Sequence, residues 1–243
     1  MISVDQPLIV VPALNEERSI GEVVSLLQRH NYHVLVVDDC STDSTSVLAN
    51  QAGADVLRLP VHLGVGGALR AGFRYAVAHG YNSVVQVDAD GQHPVDQISE
   101  LISAGNNLGA HLVIGSRYLS DSATLLPSFP RRLSMRCLSY VASQISGATL
   151  TDTTSGFRLI QQPLLGEFAN EFPNYYLGDT FEATVVALRG GYKVVEIPAA
   201  LSPRLHGASS VSTTQAIGLI AKVVLVALTG LHPRIRSIAH YSR

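Results

Sequence analysis

The sequence contains few charged side chains and very little cysteine. Charged residues make up 15% of its 243 residues, against roughly 25% in an ordinary soluble protein. With 17 basic and 19 acidic side chains the net charge is −2, so the overall positive field typical of nucleic-acid-binding proteins is excluded. Cys40 and Cys137 lie far apart and outside any CxxC or Cys/His cluster. They indicate neither a disulfide framework nor a zinc site, and a reducing compartment is the default.

Long apolar segments and targeting signals are also lacking. Residues 1–5 have neither the basic region nor the apolar stretch of a signal peptide. The most apolar window, 216–231, is interrupted by Lys222 and is shorter than the roughly 20 residues that a membrane-spanning helix needs. Hydrophobic residues nevertheless make up 47% of the chain, which excludes a disordered protein. The low charge therefore predicts either a large buried fraction or an apolar surface patch that binds a membrane or a partner.

Short apolar runs alternate with helical patterns in the first half of the chain. Residues 41–43 offer N-cap groups for the second helix, and Gly53 stands where a glycine commonly follows a helix. This alternating order predicts an open α/β domain with a mostly parallel central sheet flanked by helices, which binds its ligands at the carboxyl ends of the strands. The predicted strands are near-continuous and β-branched, as strands buried on both faces should be: 8–11, 34–37, 56–59, 84–87 and 112–114.

The second half of the chain is less regular. A helix is predicted over 179–189 and a strand over 194–198. Because no linker rich in proline, glycine or serine separates the halves, we expect one domain over 1–212 and a C-terminal extension over 213–243.

The clearest chemical signal is a pair of acids at the end of the fourth predicted strand. Asp88 and Asp90 point to the same side where the backbone is extended, and so placed they can share a hard divalent cation that also binds substrate phosphates. Gln92 offers a further oxygen. Asp38 and Asp39 end the second strand in the same way, where a carboxylate can accept hydrogen bonds from a base or from ribose hydroxyls. The alternative for both pairs is a structural role in turns and helix caps.

Other nucleotide-binding and hydrolase signatures are missing. The glycine-rich segment 63–68 fails the GxGxxG spacing at Leu69 and follows the third strand instead of the first, so a dinucleotide-dependent dehydrogenase is disfavoured. No GxxxxGK[ST], GxSxG or HExxH sequence occurs.

Five segments together resemble the family 2 glycosyltransferases, and within them the dolichol-phosphate mannose synthase-like (polyprenyl-phosphate glycosyltransferase) branch. They occur in family order over about residues 1–210: 11–17, 37–43, 88–94, 115–118 and 154–158. The resemblance implies a GT-A fold and a metal-dependent enzyme that transfers a sugar from a nucleotide sugar with inversion.

The resemblance also implies the roles of individual residues. Asp88 and Asp90, with Gln92, would hold Mg²⁺ or Mn²⁺ against the diphosphate, and Arg117 would stabilise charge on the leaving group. Catalysis would thus depend on Asp88, Asp90 and Arg117. The residues implied to bind the nucleotide sugar are Pro12, Leu14, Glu16, Val37, Asp39, Asp88, Ala89, Asp90, Arg117 and Arg204.

Donor and acceptor stay open to alternatives. Ser210 stands where the eukaryotic-type enzymes usually have lysine, which leaves the donor open between GDP-mannose and a UDP-sugar. The favoured acceptor is a polyprenyl phosphate, which is largely dianionic at pH 7 and already nucleophilic. A hydroxyl acceptor on a saccharide, lipid or protein would instead need a general base, in the family an acid near Asp179 and Glu182, so Asp179 would be catalytic. A non-catalytic nucleotide-sugar-binding subunit is disfavoured by the complete set of site residues. The cations favoured for the acceptor phosphate are Arg131, Arg132 and Arg136.

The C-terminal extension predicts an apolar helix from about Ser212 to Leu231, with Lys222 as its single charge, and a basic tail. A helix this apolar is either buried or in lipid, and the basic tail would be attracted to anionic headgroups. Because a polyprenyl phosphate never leaves the bilayer, we favour a helix that lies on the cytoplasmic membrane surface or binds a small membrane protein. The protein would then be cytoplasmic and peripheral. A core helix packed on the sheet is the alternative.

Overall fold

Strands and helices alternate through the first half of the chain in the computed structural model, which describes residues 6–119, 150–172, 179–202 and 235–241. The strands are β1 (Leu8–Ala13), β2 (Val34–Asp38), β3 (Asp55–Arg58), β4 (Ser83–Gln86), β5 (Leu112–Ser116), β6 (Arg158–Gln161) and β7 (Val194–Pro198). The helices are α1 (Ile20–Arg29), α2 (Thr45–Gln51), α3 (Gly64–Ala78), α4 (Ile98–Leu108), α5 (Leu164–Asn170) and α6 (Asp179–Arg189). Short 3₁₀ turns cover Val95–Gln97 and Ile238–His240.

The strands form one seven-stranded sheet in the order β3-β2-β1-β4-β6-β5-β7. β6 runs antiparallel to both of its neighbours, and the other paired strands are parallel. The mostly parallel α/β sheet is therefore confirmed, with the predicted strands within two residues of their observed bounds. β6 and α5 were not predicted.

Apolar residues fill both faces of the sheet. Along β1, Leu8 and Val10 pack into the layer that contains Phe73 of α3, whereas Ile9 and Val11 pack into the layer that contains Val24 of α1. This period of two is what a strand buried on both faces requires. The helices thus cover both faces, which leaves the loops at the carboxyl ends of β1, β2, β3 and β4 at one edge of the sheet.

The ends of α2 agree with the predicted capping groups. The helix begins at Thr45 with Ser44 at the N-cap position, and Asp43, within the predicted 41–43 segment, accepts from the Thr45 N–H at 3.0 Å. Gly53 follows the C-cap residue with a φ of +98°, in the left-handed region, as predicted.

Part of the predicted architecture lies outside the described residues, namely Arg131, Arg132, Arg136, Arg204, and the apolar helix of the extension. In the part of the chain that the structure describes, we find no helix with the length and apolarity needed to cross a membrane.

The described part of the extension, 235–241, packs on the domain. The Ile238 N–H donates to the Gly190 carbonyl (2.9 Å). The Arg236 N–H and the Tyr241 hydroxyl donate to the buried Glu167 carboxylate, at 2.8 and 2.5 Å. The main chain of the predicted basic tail is therefore fixed to α5 at Arg236.

Candidate active site

The loops after β1 and β2 form one hydrogen-bonded surface. The Asn15 N–H donates to Ser41 Oγ (2.9 Å), and the Thr42 N–H donates back to Asn15 Oδ1 (2.9 Å). The Glu16 N–H donates to Thr45 Oγ1 (2.8 Å). Burial acts to raise the pKa of Asp43, but hydrogen bonds from Thr45 and the Glu17 main chain outweigh it and hold this pKa below its usual value. Side chains expected to cap α2 therefore join the two loops.

The residues assigned to the nucleoside pocket do not all face these loops. Leu14 is 41% exposed, and Pro12 and Glu16 are half-buried. The side chains of Val37 and Ala89 belong to the core, at 0% and 4% exposure. Their side chains are therefore packed inside the protein, and the predicted contact of these two residues with a nucleotide, which stays a prediction, would be made by the main chain.

Asp38 and Asp39 both accept hydrogen bonds from the protein. Asp39 accepts from the N–H groups of Leu63 (2.7 Å) and Gly64 (2.8 Å) at the start of α3, and His62 Nδ1 lies 2.8 Å from its carboxylate. Asp38 accepts from the Ser41 N–H (2.8 Å) and from the Ser46 hydroxyl of α2. Asp39 was expected to accept hydrogen bonds from a ligand. In this structure its carboxylate accepts them from the loop that leads into α3.

The backbone around the paired acids bends earlier than expected. β4 ends at Gln86, a turn begins at Ala89, and Gly91 has a φ of +75°. The Gln92 N–H donates to Asp90 Oδ1 (3.0 Å), which closes the turn. The expectation of an extended backbone through Asp90 is therefore wrong. As a result Asp88 keeps a side chain that is 40% exposed, whereas Asp90 is 6% exposed.

Gln92 joins this turn to the segment after β7. The side-chain NH₂ of Gln92 donates to the Ser202 carbonyl (3.1 Å), and the main-chain carbonyl of Gln92 accepts from the Ser202 N–H (2.9 Å). Arg204 follows two residues later in the sequence.

The donor set at the turn fits one class of metal site. Among the described residues, no group of three or more His, Cys, Asp or Glu side chains could hold a metal ion. The turn offers a smaller set, namely the carboxylates of Asp88 and Asp90 and the side-chain amide oxygen of Gln92 as a neutral ligand. Mg²⁺ is usually held by one or two carboxylates plus substrate phosphates, so the set fits Mg²⁺ or Mn²⁺ bound together with a diphosphate. It does not fit the four-ligand cage of a structural zinc site.

The motif 154–158 lies directly behind Asp88. An ideal Cβ on Gly156 would lie 2.9 Å from both carboxylate oxygens of Asp88, so a glycine is required for this close approach. On the preceding strand, the Gln86 amide donates to Asp88 Oδ1 (3.3 Å).

Arg117 is held by Asp152. Its Nε and Nη2 donate to the two carboxylate oxygens at 2.7 and 2.8 Å, and Nη2 also donates to Thr154 Oγ1 (3.1 Å). Burial acts to raise the pKa of Asp152, but the hydrogen bonds and charge of Arg117 outweigh it and lower this pKa. The carboxylate of Glu196 on β7 in turn accepts from the N–H groups of Thr151 and Asp152, at 2.7 and 2.8 Å. The guanidinium expected near the phosphates is thus fixed in orientation.

Arg158 belongs to the site's framework and was not predicted as a site residue. It is 2% exposed and donates to the carbonyls of Thr153 (3.1 Å), Ser155 (2.7 Å) and Thr180 (2.9 Å). Burial lowers its pKa to about 10. The signal available in the sequence was a cation at the end of the 154–158 motif. This buried guanidinium fixes the loop behind Asp88 to the first turn of α6, where the main chain of Asp179 begins the helix.

Residues 8–168 match the family model described as Glycosyl transferase family 2. The chain belongs to this family. It is 32% identical over 215 residues to the undecaprenyl-phosphate mannosyltransferase of Micrococcus luteus, covering 84% of this chain and 87% of the relative. It is also 29% identical over 242 residues to the polyprenol monophosphomannose synthase of Mycolicibacterium smegmatis, covering 95% and 90%. The predicted family and its activity class, glycosyltransferase, are confirmed.

The fold is similar to solved glycosyltransferases. The structure of glucosyl-3-phosphoglycerate synthase from Mycobacterium tuberculosis with Mn²⁺, UDP-glucose and phosphoglyceric acid superimposes with a TM-score of 0.66 at 21% identity. The alignment covers 93% of this chain and 79% of that one. The predicted GT-A fold is confirmed.

Proposed function

We propose that this family 2 glycosyltransferase transfers a sugar from a nucleotide sugar to a polyprenyl phosphate, with inversion and with Mg²⁺ or Mn²⁺. The observation that carries the proposal is the carboxylate of Asp88, 40% exposed at the carboxyl edge of the sheet. The 154–158 motif joins it to Arg117, because Thr154 accepts from Arg117 Nη2 (3.1 Å) and Gly156 lies against the Asp88 carboxylate. A carboxylate and a guanidinium at one edge provide a metal ligand and a phosphate contact for the same diphosphate.

The donor side of the reaction depends on Asp88, Asp90 and Arg117. The cation, held by the two carboxylates, would neutralise charge on the leaving nucleoside diphosphate. Arg117 is oriented by Asp152 before substrate binds, so its remaining N–H donors need little reorganisation to contact a phosphate. The solved structure of similar fold that contains Mn²⁺ and UDP-glucose supports a divalent metal and a nucleotide diphosphate as ligands.

Transfer to a polyprenyl phosphate needs cations that bind the acceptor phosphate and no general base. A phosphate oxygen of the dianionic acceptor would attack the anomeric carbon while the bond from that carbon to the diphosphate oxygen breaks, and the electron pair leaves with the nucleoside diphosphate. No proton has to be removed. Arg131, Arg132 and Arg136, which lie outside the described residues, are proposed to bind this phosphate. The names of the two mannosyltransferase relatives support the acceptor and make mannose the first sugar to test.

The substrate also determines where the protein works. A polyprenyl phosphate stays in the bilayer, so the enzyme would act as a peripheral protein at the cytoplasmic membrane surface. We assign this contact to the C-terminal extension, 213–243, with a small membrane protein as an alternative partner.

A direct assay tests the donor and the acceptor together. The full chain is incubated with Mg²⁺, vesicles that contain undecaprenyl phosphate, and radiolabelled GDP-mannose, UDP-glucose or UDP-N-acetylglucosamine in turn. Label that enters the lipid fraction from one donor and is released by mild acid supports the proposal. Label that enters a saccharide, or a lipid bond stable to mild acid, would favour the hydroxyl-acceptor reaction. That outcome makes Asp179→Asn decisive, because a general base would be lost while donor binding persists.

A further inference from the structure

His93 lies inside the protein behind the turn that carries Asp88 and Asp90. Its side chain is 3% exposed, and its ring centroid lies 5.2 Å from that of Phe157. A buried histidine ring in an apolar environment is costly unless its nitrogens have partners. Both of its nitrogens face the same residue, Asp88.

The contacts determine which nitrogen carries the proton of the neutral ring. The Asp88 N–H donates to Nδ1 at 2.9 Å, so Nδ1 presents its lone pair. The proton of the neutral ring is therefore on Nε2, which lies 3.5 Å from Asp88 Oδ2. One ring thus accepts from the main chain of Asp88 and presents a donor to its carboxylate.

The main-chain contact lies where the backbone leaves the sheet. The ladder between β1 and β4 ends with the Val87 N–H, which donates to the Val10 carbonyl (3.1 Å). Asp88 is the next residue, and its N–H is bonded to the histidine ring. Without His93 this N–H would lose its partner at the point where the backbone leaves the sheet.

The two carboxylate oxygens of Asp88 have different neighbours. Oδ1 accepts from the Gln86 amide, Oδ2 faces His93 Nε2, and Gly156 leaves no free space behind them. The side chain is still 40% exposed. These contacts orient the carboxylate outward, toward the edge where the diphosphate is proposed to bind.

We propose that His93 is a positioning residue that holds the main chain of Asp88, and through it the Asp88 carboxylate, in place for the divalent cation, an inference that rests on the function proposed above. Groups that orient a metal ligand commonly change metal affinity by about 10–100-fold when they are removed. His93 would therefore act on the affinity for the metal and would contact neither the metal nor the substrate.

Three variants separate positioning from simple core packing. His93→Leu keeps an apolar side chain of moderate size against Phe157 and removes both polar contacts. His93→Asn keeps an acceptor near the position of Nδ1, and His93→Gln places an amide near the position of Nε2. Each full-length variant is titrated with Mn²⁺ by calorimetry in the presence of GDP, and again of UDP. Thermal unfolding without metal monitors the fold.

We expect His93→Leu to bind Mn²⁺ at least ~10-fold more weakly than wild type, and His93→Asn to stay within about threefold because the main-chain bond persists. In activity assays the loss should appear in the Mn²⁺ concentration needed for half-maximal rate, with kcat at saturating Mn²⁺ within about threefold.

The outcomes distinguish this inference from the proposed function. Equal Mn²⁺ affinity in wild type and His93→Leu would overturn the positioning role alone. If His93→Leu does not fold, His93→Asn must bind Mn²⁺ more tightly than His93→Gln, and the reverse order overturns the inference. A wild-type chain that binds no Mn²⁺ with either nucleotide would overturn the metal site itself, and the positioning role with it.

Discussion

The side chain of Asp88 is confined by two residues close to it in sequence and by one distant glycine. Gly156 lies behind the carboxylate, and Gln86 and His93 contact its two oxygens. A metal ligand is effective when its position is set before the metal binds, because little reorganisation then accompanies binding. At this scale the sequence motifs predicted site residues, but not that the 154–158 motif packs against the acid of the 88–94 motif.

Replacement of Gly156 by alanine should displace the carboxylate. The new Cβ would lie 2.9 Å from both oxygens of Asp88, so the side chain must rotate away. We expect a loss of at least ~10-fold in kcat/KM, with a weaker response to added Mg²⁺. Gly21→Ala is the matched control, because a Cβ there meets nothing within 4 Å and a helical alanine stabilises by about 0.5–1 kcal/mol. Unchanged activity in Gly156→Ala would show that the Asp88 position is not critical.

Removal of either proposed metal ligand should have a larger effect. Asp88→Ala and Asp90→Ala each remove a carboxylate that would hold the cation against the leaving diphosphate, so turnover should fall at least ~10²-fold. Asp96→Ala serves as the control, since this exposed acid lies in the 3₁₀ turn that follows the paired acids. Steady-state rates with and without a chelator measure the effect. Full activity of wild type in excess chelator contradicts a metal-dependent mechanism.

At the level of secondary structure, the strands with a regular apolar pattern were predicted and the strand without one was not. β1 and β2 are continuous apolar strands buried on both faces, and both were predicted within two residues. β6 has four residues and begins with the buried cation Arg158, one of whose carbonyl partners, Thr180, is distant in sequence. No period could therefore reveal it. The turn at Ala89 was missed for a related reason, since alternating apolar and acidic residues look like a continuing strand until Gly91.

The ion pair between Arg117, after β5, and Asp152, before β6, gives a prediction for the stability of the fold at low pH. Arg117 lowers the pKa of Asp152 from the usual 3.8, so in acid the unfolded chain takes up this proton before the folded chain does. The pair's contribution is therefore present above about pH 4 and is lost as the pH falls through the lower, folded pKa. Asp152→Asn should cost about 1–3 kcal/mol near pH 7, because it removes the charge that pairs with Arg117 while the bond from Arg117 to Thr154 remains.

The same variant should also lose less stability in acid than wild type does. Urea unfolding at a series of pH values between 7 and 3 measures both effects, and Asp96→Asn, an exposed acid, provides the control. If the free energy of unfolding falls with pH in the same way for wild type and Asp152→Asn, the pair does not contribute to acid denaturation.

At the scale of the whole molecule, the described chain returns to the domain at both ends of the C-terminal segment. Ser202 is bonded to Gln92 beside the paired acids. Residues 235–241 are fixed to Glu167 of α5 and to Gly190, which follows α6. Deletion of everything after Ser212 would therefore remove a packed tail together with the predicted apolar helix. A loss of stability in such a deletion could not be assigned to the helix.

Point substitutions within the predicted helix separate membrane binding from packing. Val224→Ser together with Leu228→Ser makes the predicted helix less apolar and keeps the 235–241 tail. If the helix lies on the membrane surface, the double variant should sediment less with vesicles that contain anionic lipid, since apolar burial and basic charge contribute jointly to binding. Its thermal unfolding and its activity on a short, water-soluble polyprenyl phosphate should remain close to wild type. Glu167→Gln with Tyr241→Phe, which weakens the tail contact alone, should lower stability without changing sedimentation. If Val224→Ser with Leu228→Ser unfolds while the tail variant does not, the helix belongs to the core.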